Sequence, residues 1–299
     1  MKKTIITYIV LIALLFTGCQ SNGEPAQIAA TTLPVYEFTF RICHGTPLSV
    51  TRLVTEEVSC LHDYSLNVRQ VKAAEAADLI VISGAGLEVF LDDILMEAPV
   101  IDASRNIALI VPEEHHHEHD EENHEEEDHE GHHHEEDPHI WLSPANAAIM
   151  AENICSGLTE QYPEYGSIFA ENLGRLQADL SDLEQYGMDR LKNLSVREII
   201  TFHDGFSYLA QAFDLTILEA IEEESGSEAS AKELIRMIEE VEHHSLPAIF
   251  TEKSGSVSAA GIIARETGAK EFTLDMAMAG DSYFDAMYHN INTLKEALQ

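Results

Sequence analysis

The chain has 299 residues, with 53 acidic against 17 basic side chains and a formal net charge of −36. Such a surface repels phosphate backbones and anionic headgroups, which argues against nucleic acid as a partner, and it attracts cations over a Debye length of about 8 Å at physiological salt. Beyond the N-terminal segment and one low-complexity tract, enough chain remains for one large domain or for two of roughly 100 to 130 residues.

Residues 1–18 read as a targeting segment: Lys2 and Lys3, an apolar run over 5–16, then Thr17-Gly18 ahead of Cys19. The run is too short for a permanent membrane helix and fits the apolar core of a signal peptide. Phe16-Thr17-Gly18-Cys19 resembles a bacterial lipobox, which implies cleavage before Cys19, lipidation of that residue, and a polar tether over 19–26. An ordinary secretory signal is the competing reading. Either way the chain is expected outside the cytoplasm, lipid-anchored at the outer face of the bacterial membrane in the first case. Three further cysteines, Cys43, Cys60 and Cys155, meet an oxidising environment there. Cys43 and Cys60 flank a single predicted strand and are the expected disulfide, although three pairings are open.

Strand-length apolar runs recur at 28–33, 48–54, 79–83 and 100–101, with a helical stretch at 71–77. A second series lies at 198–202, 215–218, 248–251 and 271–274, separated by helical patterns at 206–213, 229–241, 258–267 and 283–298. Alternating strand and helix predicts an α/β fold with parallel sheets. The expected architecture is two lobes, 27–162 and 194–299, each a small parallel sheet flanked by helices. Between them Phe169, Leu173, Leu176, Leu180 and Leu183 are spaced 4, 3, 4 and 3, which predicts one long linking helix over 163–193, weakened by Gly174 and Gly187.

Residues 113–137 hold nine histidines (His115, His116, His117, His119, His124, His129, His132, His133 and His134) and fourteen acids, with no aliphatic or aromatic side chain. Such a segment buries too little apolar surface to offset its ordering entropy, so a disordered loop within the first lobe is expected. Imidazole suits zinc, copper, nickel and iron, and the tract reads as an auxiliary metal collector. Formal HExxH and HxxEH matches inside it are rejected. Those motifs require a helix, and Gly131 amid charges with no apolar stripe forms none.

Outside the tract, histidines stand at 44, 62, 139, 203, 243, 244 and 289. Open parallel sheets bind ligands beyond the carboxyl ends of their strands, which selects three. His62 follows the second strand, His203 directly follows 199–202, and His139 precedes Ser143-Pro144, an N-cap with proline at the first helical position. Asp275 ends the strand at 271–274 and completes a three-imidazole, one-carboxylate set suited to tetrahedral zinc, with Asp281, Asp285 or a water as other occupants of the fourth place. His243, His244 and His289 are expected on solvated helix surfaces, and His44 in a structural role.

CLHDYSL with ADLIVISGAGLE, DPHIWLSP after the His-rich loop, ITFHDGFSYLAQAFDL, and FTLD ahead of GDSYFDAMYHN resemble the metal-binding lipoproteins of zinc and manganese ABC uptake systems, in the cluster with a rigid linking helix. The resemblance covers the mature chain. It implies that His62, His139 and His203 are ligands with Asp275 at the fourth position, and that partners are a zinc ion and an ABC permease. It further implies a monomer that is not an enzyme. Retention of His203 and of the loop favours Zn2+ over Mn2+. The rivals are a manganese or iron binder of the same class, a secreted zinc hydrolase with Glu222, Glu223, Glu224 or Glu252 as base, and a surface adhesin.

Overall fold

The computed structural model describes residues 27–58, 61, 64–96, 98–111, 136–222, 230–253 and 258–299. The targeting segment with Cys19, the ligand candidate His62, Cys60, and all nine tract histidines lie outside the described residues.

In the first lobe, β1 (Gln27–Ala30), β2 (Ser49–Arg52), β3 (Leu79–Ile82) and β4 (Val100–Asp102) form a parallel sheet in the order β2-β1-β3-β4. Ile28, Ala29 and Ala30 are all buried, as expected of a central parallel strand covered on both faces. The strand is shorter than the apolar run 28–33 suggests. Pro34 at the first turn turns the chain directly into α1 (Leu33–Cys43). Next come α2 (Val68–Glu75), opened by a reciprocal capping box between Asn67 and Gln70, and the one-turn α3 (Asp92–Leu95). A 3-10 turn (Ile140–Leu142) leads into α4 (Pro144–Gln161), where Ser143 Oγ accepts from Asn146 N with Pro144 at the first position.

The linking element is α5 (Gly166–Leu191), 26 residues and so about 39 Å long. A separate 3-10 turn at Pro163–Tyr165 precedes it, because Tyr162, restrained by the following proline, leaves helical geometry. Phe169, Leu176, Leu180 and Leu183 are fully buried along one stripe, as their spacing predicts. Asn172 donates to the carbonyls of Ile42 and His44, tying the end of α1 to this helix.

The second lobe repeats the first. Strands β5 (Glu198–His203), β6 (Thr216–Glu222), β7 (Ala248–Glu252) and β8 (Lys270–Leu274) run parallel in the order β6-β5-β7-β8, with α6 (Ser207–Ala212), α7 (Ala231–His244), α8 (Ser258–Thr267) and α9 (Tyr283–Ala297) between and after them. In both sheets the strand order reverses beside the first strand, and such switch points open a crevice at the strands' carboxyl ends. One continuous apolar core runs through both lobes and α5, from Ile28 and Leu79 through Leu180 to Phe250 and Ile291. Smaller clusters cover the outer sheet faces.

Cys43 in α1 and Cys155 in α4 are buried, and neither is in a disulfide among the described residues. Burial, with the neighbouring Cys155, pushes the Cys43 thiol up to about 12. The expected Cys43–Cys60 pairing falls on a residue outside the described set.

Candidate metal centre

His139 closes the turn ahead of Ile140–Leu142 and is 1% exposed. Asp137 fixes it twice: Oδ1 lies 2.9 Å from the His139 backbone N–H and 2.8 Å from Nδ1. Nδ1 therefore carries the proton toward the carboxylate, and Nε2 is left with its lone pair in a buried position without a hydrogen-bond partner among the described residues. A buried ring nitrogen oriented by a carboxylate on its other side is the arrangement of metal-ligating histidines. Asp137 is held in turn by Tyr208 of α6, whose hydroxyl donates to the Asp137 carbonyl and accepts from the Ile110 N–H.

His203, the last residue of β5, is 2% exposed, and its ring meets that of His139 edge to face with centroids 5.3 Å apart. The two imidazoles come from opposite lobes. Gly205 permits this placement: a Cβ there would lie 2.9 Å from His203 Nε2 and 2.7 Å from Cδ2, closer than side-chain carbons approach.

Asp275 follows β8 directly. Asn290 of α9 clamps its backbone, accepting from the N–H and donating to the carbonyl, both at 2.7 Å. Its Oδ1 accepts from Ala277 N–H at 2.8 Å, and Oδ2 lies 3.7 Å from Lys253 Nζ. Lys253 also reaches Glu57 of the other lobe at 3.2 Å, and Glu57 and then Asp275 raise its pKa. Glu57, Glu252, Lys253, Asp275 and Met276 line a cavity of about 20 Å³, room for one water-sized body. His139, His203 and Asp275 do not present donor atoms all within 4.8 Å of one another among the described residues.

Two buried carboxylates near these histidines were not singled out as part of a metal site in the sequence. Asp137 looks like the last acid of the tract, yet it is buried against His139. Glu252, considered there only as a hydrolase base, is buried at the end of β7, one strand over from His203. Of the histidines set aside, His289 bonds the Thr273 carbonyl at 3.1 Å and stays exposed.

Trp141, two residues beyond His139, locks the lobes together. Its indole N–H donates to the Met276 carbonyl and its own carbonyl accepts from the Tyr283 hydroxyl, both at 2.8 Å. Leu33 N–H donates to the Met278 carbonyl at 3.1 Å, and Arg52 donates to the Gly280 carbonyl at 2.8 Å.

This architecture has known counterparts. A crystal structure of ZnuA superposes with a TM-score of 0.78 at 26% identity, covering 92% of this chain and all of that one. The metal-dependent lipoprotein YcdH from Bacillus subtilis superposes with a TM-score of 0.73, also at 26% identity, over 91% of this chain and 99% of that one. In sequence the chain is 28% identical over 313 residues to the zinc-binding lipoprotein AdcA of Streptococcus pneumoniae, an alignment covering 99% of this chain and 61% of AdcA. The chain thus spans about three fifths of that relative's length. Residues 28–297 match the family described as the periplasmic zinc-uptake complex component A, ZnuA. A match running from the first strand to the last helix leaves one assignment: the chain belongs to the ZnuA family.

Proposed function

We propose that the protein captures Zn2+ outside the cell membrane, holds it between its lobes and hands it to the permease of an ABC uptake system. The observation that carries this reading is His139: a buried imidazole with Nδ1 fixed by Asp137, Nε2 without a hydrogen-bond partner among the described residues, and the ring of His203 from the other lobe against it. His62, His139 and His203 supply three nitrogens and Asp275 an oxygen, a set suited to four-coordinate zinc. On loading, Asp275 exchanges the Lys253 ammonium for the metal and closes the coordination shell. A closed shell leaves no position for a reacting water, so the protein carries the ion rather than using it in catalysis.

The name of AdcA, a zinc-binding lipoprotein, supports the choice of metal and a lipid anchor through Cys19. Among the described residues no helix is long and apolar enough to cross a membrane. The protein acts as a monomer, and the tract at 113–137 raises the local zinc concentration around the cleft. Mn2+ is the second reading, supported by the carboxylates Glu252 and Asp275 lining one cavity, since oxygen-rich sites suit manganese.

Calorimetric titration of the metal-free protein with Zn2+ and with Mn2+, repeated on His62→Ala, His139→Ala and His203→Ala, tests the proposal. Tight zinc binding lost in each variant with the fold intact is the expected result. Unchanged binding in all three refutes the cleft site, and tighter Mn2+ than Zn2+ binding selects the second reading.

A further inference from the structure

His243 and His244 end α7, where the sequence alone places them on a solvated helix surface. The structure gives them a neighbour one turn back. Glu240 Oε2 lies 3.5 Å from His244 Nε2, and one donor atom from each of Glu240, His243 and His244 falls within 4.8 Å of the others. The two rings meet edge to face with centroids 4.8 Å apart. Two donors each about 2.0 to 2.2 Å from a tetrahedral zinc stand roughly 3.4 Å apart, so the Glu240 to His244 gap already matches one edge of such a shell.

An independent contact points the same way. Glu198, the first residue of β5 and outside the trio, sits with Oε2 2.9 Å from His244 Nδ1. That carboxylate accepts a hydrogen bond from Nδ1–H and leaves Nε2 as the ring atom that faces Glu240, the same carboxylate–histidine relation seen at Asp137 and His139. The trio also lies at a helix C-terminus, ended by Ser245 in the left-handed region (φ 51°), where the helix dipole favours a cation. Glu198 and His203 are the two ends of β5, five residue steps or about 17 Å apart, so this cluster is separate from the cleft.

We propose that Glu240, His243 and His244, with Glu198 as the residue that orients His244, form a second site for a borderline divalent transition metal such as Zn2+ or Cu2+ at the far end of the C-terminal lobe. Three protein donors leave one coordination position to water, so the ion is held more weakly than in a closed four-ligand shell and exchanges readily.

Equilibrium dialysis against Zn2+ with metal content measured on the full chain, and on a chain lacking residues 113–135 to remove the tract histidines while keeping Asp137, tests this. The double substitution His243→Ala/His244→Ala is expected to remove one zinc equivalent from both chains and to leave the tighter cleft equivalent in place. Glu198→Gln is expected to weaken that equivalent by about 10- to 100-fold without abolishing it. Glu240→Gln, which keeps the volume of the side chain, provides a second variant should the alanines unfold the helix end. Cu2+ added to the chain lacking the tract after Zn2+ has filled the cleft should show nitrogen couplings from two imidazoles in electron paramagnetic resonance, absent when the same chain carries the double substitution. Equal zinc content in the wild-type and Glu240→Gln chains, or lost stability with no lost metal in the alanine variant, would mean that the cluster is an ion pair only and would overturn the proposal.

Discussion

Asp137 accepts both the backbone N–H and the Nδ1 proton of His139, so a single carboxylate sets the position and the tautomer of a proposed ligand. Asp137→Asn keeps the shape but presents either a weaker acceptor or a donor to Nδ1. Zinc affinity is expected to fall about 10- to 100-fold, read by competition with a chromophoric chelator, with circular dichroism unchanged. Glu88, buried at the carboxyl end of the first sheet, is a different case. Its oxygens accept from Thr31 Oγ1 at 2.7 Å, Ser83 N–H at 2.7 Å and Gly84 N–H at 3.0 Å. Burial outweighs these three donors and lifts its pKa from 4.5 to about 7. Between those values the folded chain holds a proton that the unfolded chain has lost, so this group makes stability fall as pH rises through the window. Over that interval the loss amounts to about 3 kcal/mol. Glu88→Gln removes the titration. Its amide also faces the Gly84 N–H, a penalty that does not vary with pH. The stability difference between variant and wild type, from urea unfolding at pH 4.5 and pH 8, is therefore expected to shift toward the variant by that amount. A difference independent of pH would refute the assignment.

Among the elements, α5 shows how one residue type reads alike in sequence and differs in place. Gly174 and Gly187 both look like weak points in a helix. A Cβ on Gly174 meets nothing within 4 Å, whereas one on Gly187 would lie 2.2 Å from Cε1 of the Phe213 ring. Gly174→Ala is expected to stabilise the protein by up to about 1 kcal/mol through helix propensity. Gly187→Ala is expected to destabilise it by about 1 to 3 kcal/mol through overpacking, the pair measured together by urea unfolding. The stripe from Phe169 to Leu183, the eight strand-like runs and the Ser143-Pro144 start signal were legible because each is a local periodicity or cap. The split of the linker into a 3-10 turn and a helix was foreshadowed only by Pro163. His139 and His203 were legible from their place at chain ends of apolar elements. Asp137 was hidden by the composition of the tract that it terminates. The surroundings of His243 and His244 were hidden for another reason: the carboxylate that orients His244 is 46 residues away, and only the sheet brings it back.

At the scale of the whole molecule, two lobes on a long helix suggest a hinge, yet the contacts between them are those of one folded body. The apolar core is continuous across both lobes, and the segment from Met276 to Gly280 is bonded to Leu33, Arg52 and Trp141 of the opposite lobe. Unfolding either lobe alone would expose its share of that core and orphan buried carbonyls, each at roughly 1 to 3 kcal/mol. The protein is therefore expected to unfold in a single step. Trp141 is the sole tryptophan and sits at the lobe boundary, so its fluorescence and the far-UV circular dichroism of both sheets should share one midpoint. Zinc at about 100 times its dissociation constant should raise the unfolding free energy by roughly 2.7 kcal/mol and move both probes together. Trp141→Phe keeps a ring but leaves the Met276 carbonyl unpaired. It should lower stability by about 1 to 3 kcal/mol while the transition seen by circular dichroism stays single, since the core still bridges the lobes. Separate midpoints in the wild-type protein, with zinc shifting only one of them, would show instead that the lobes fold independently and that the metal is held by one of them.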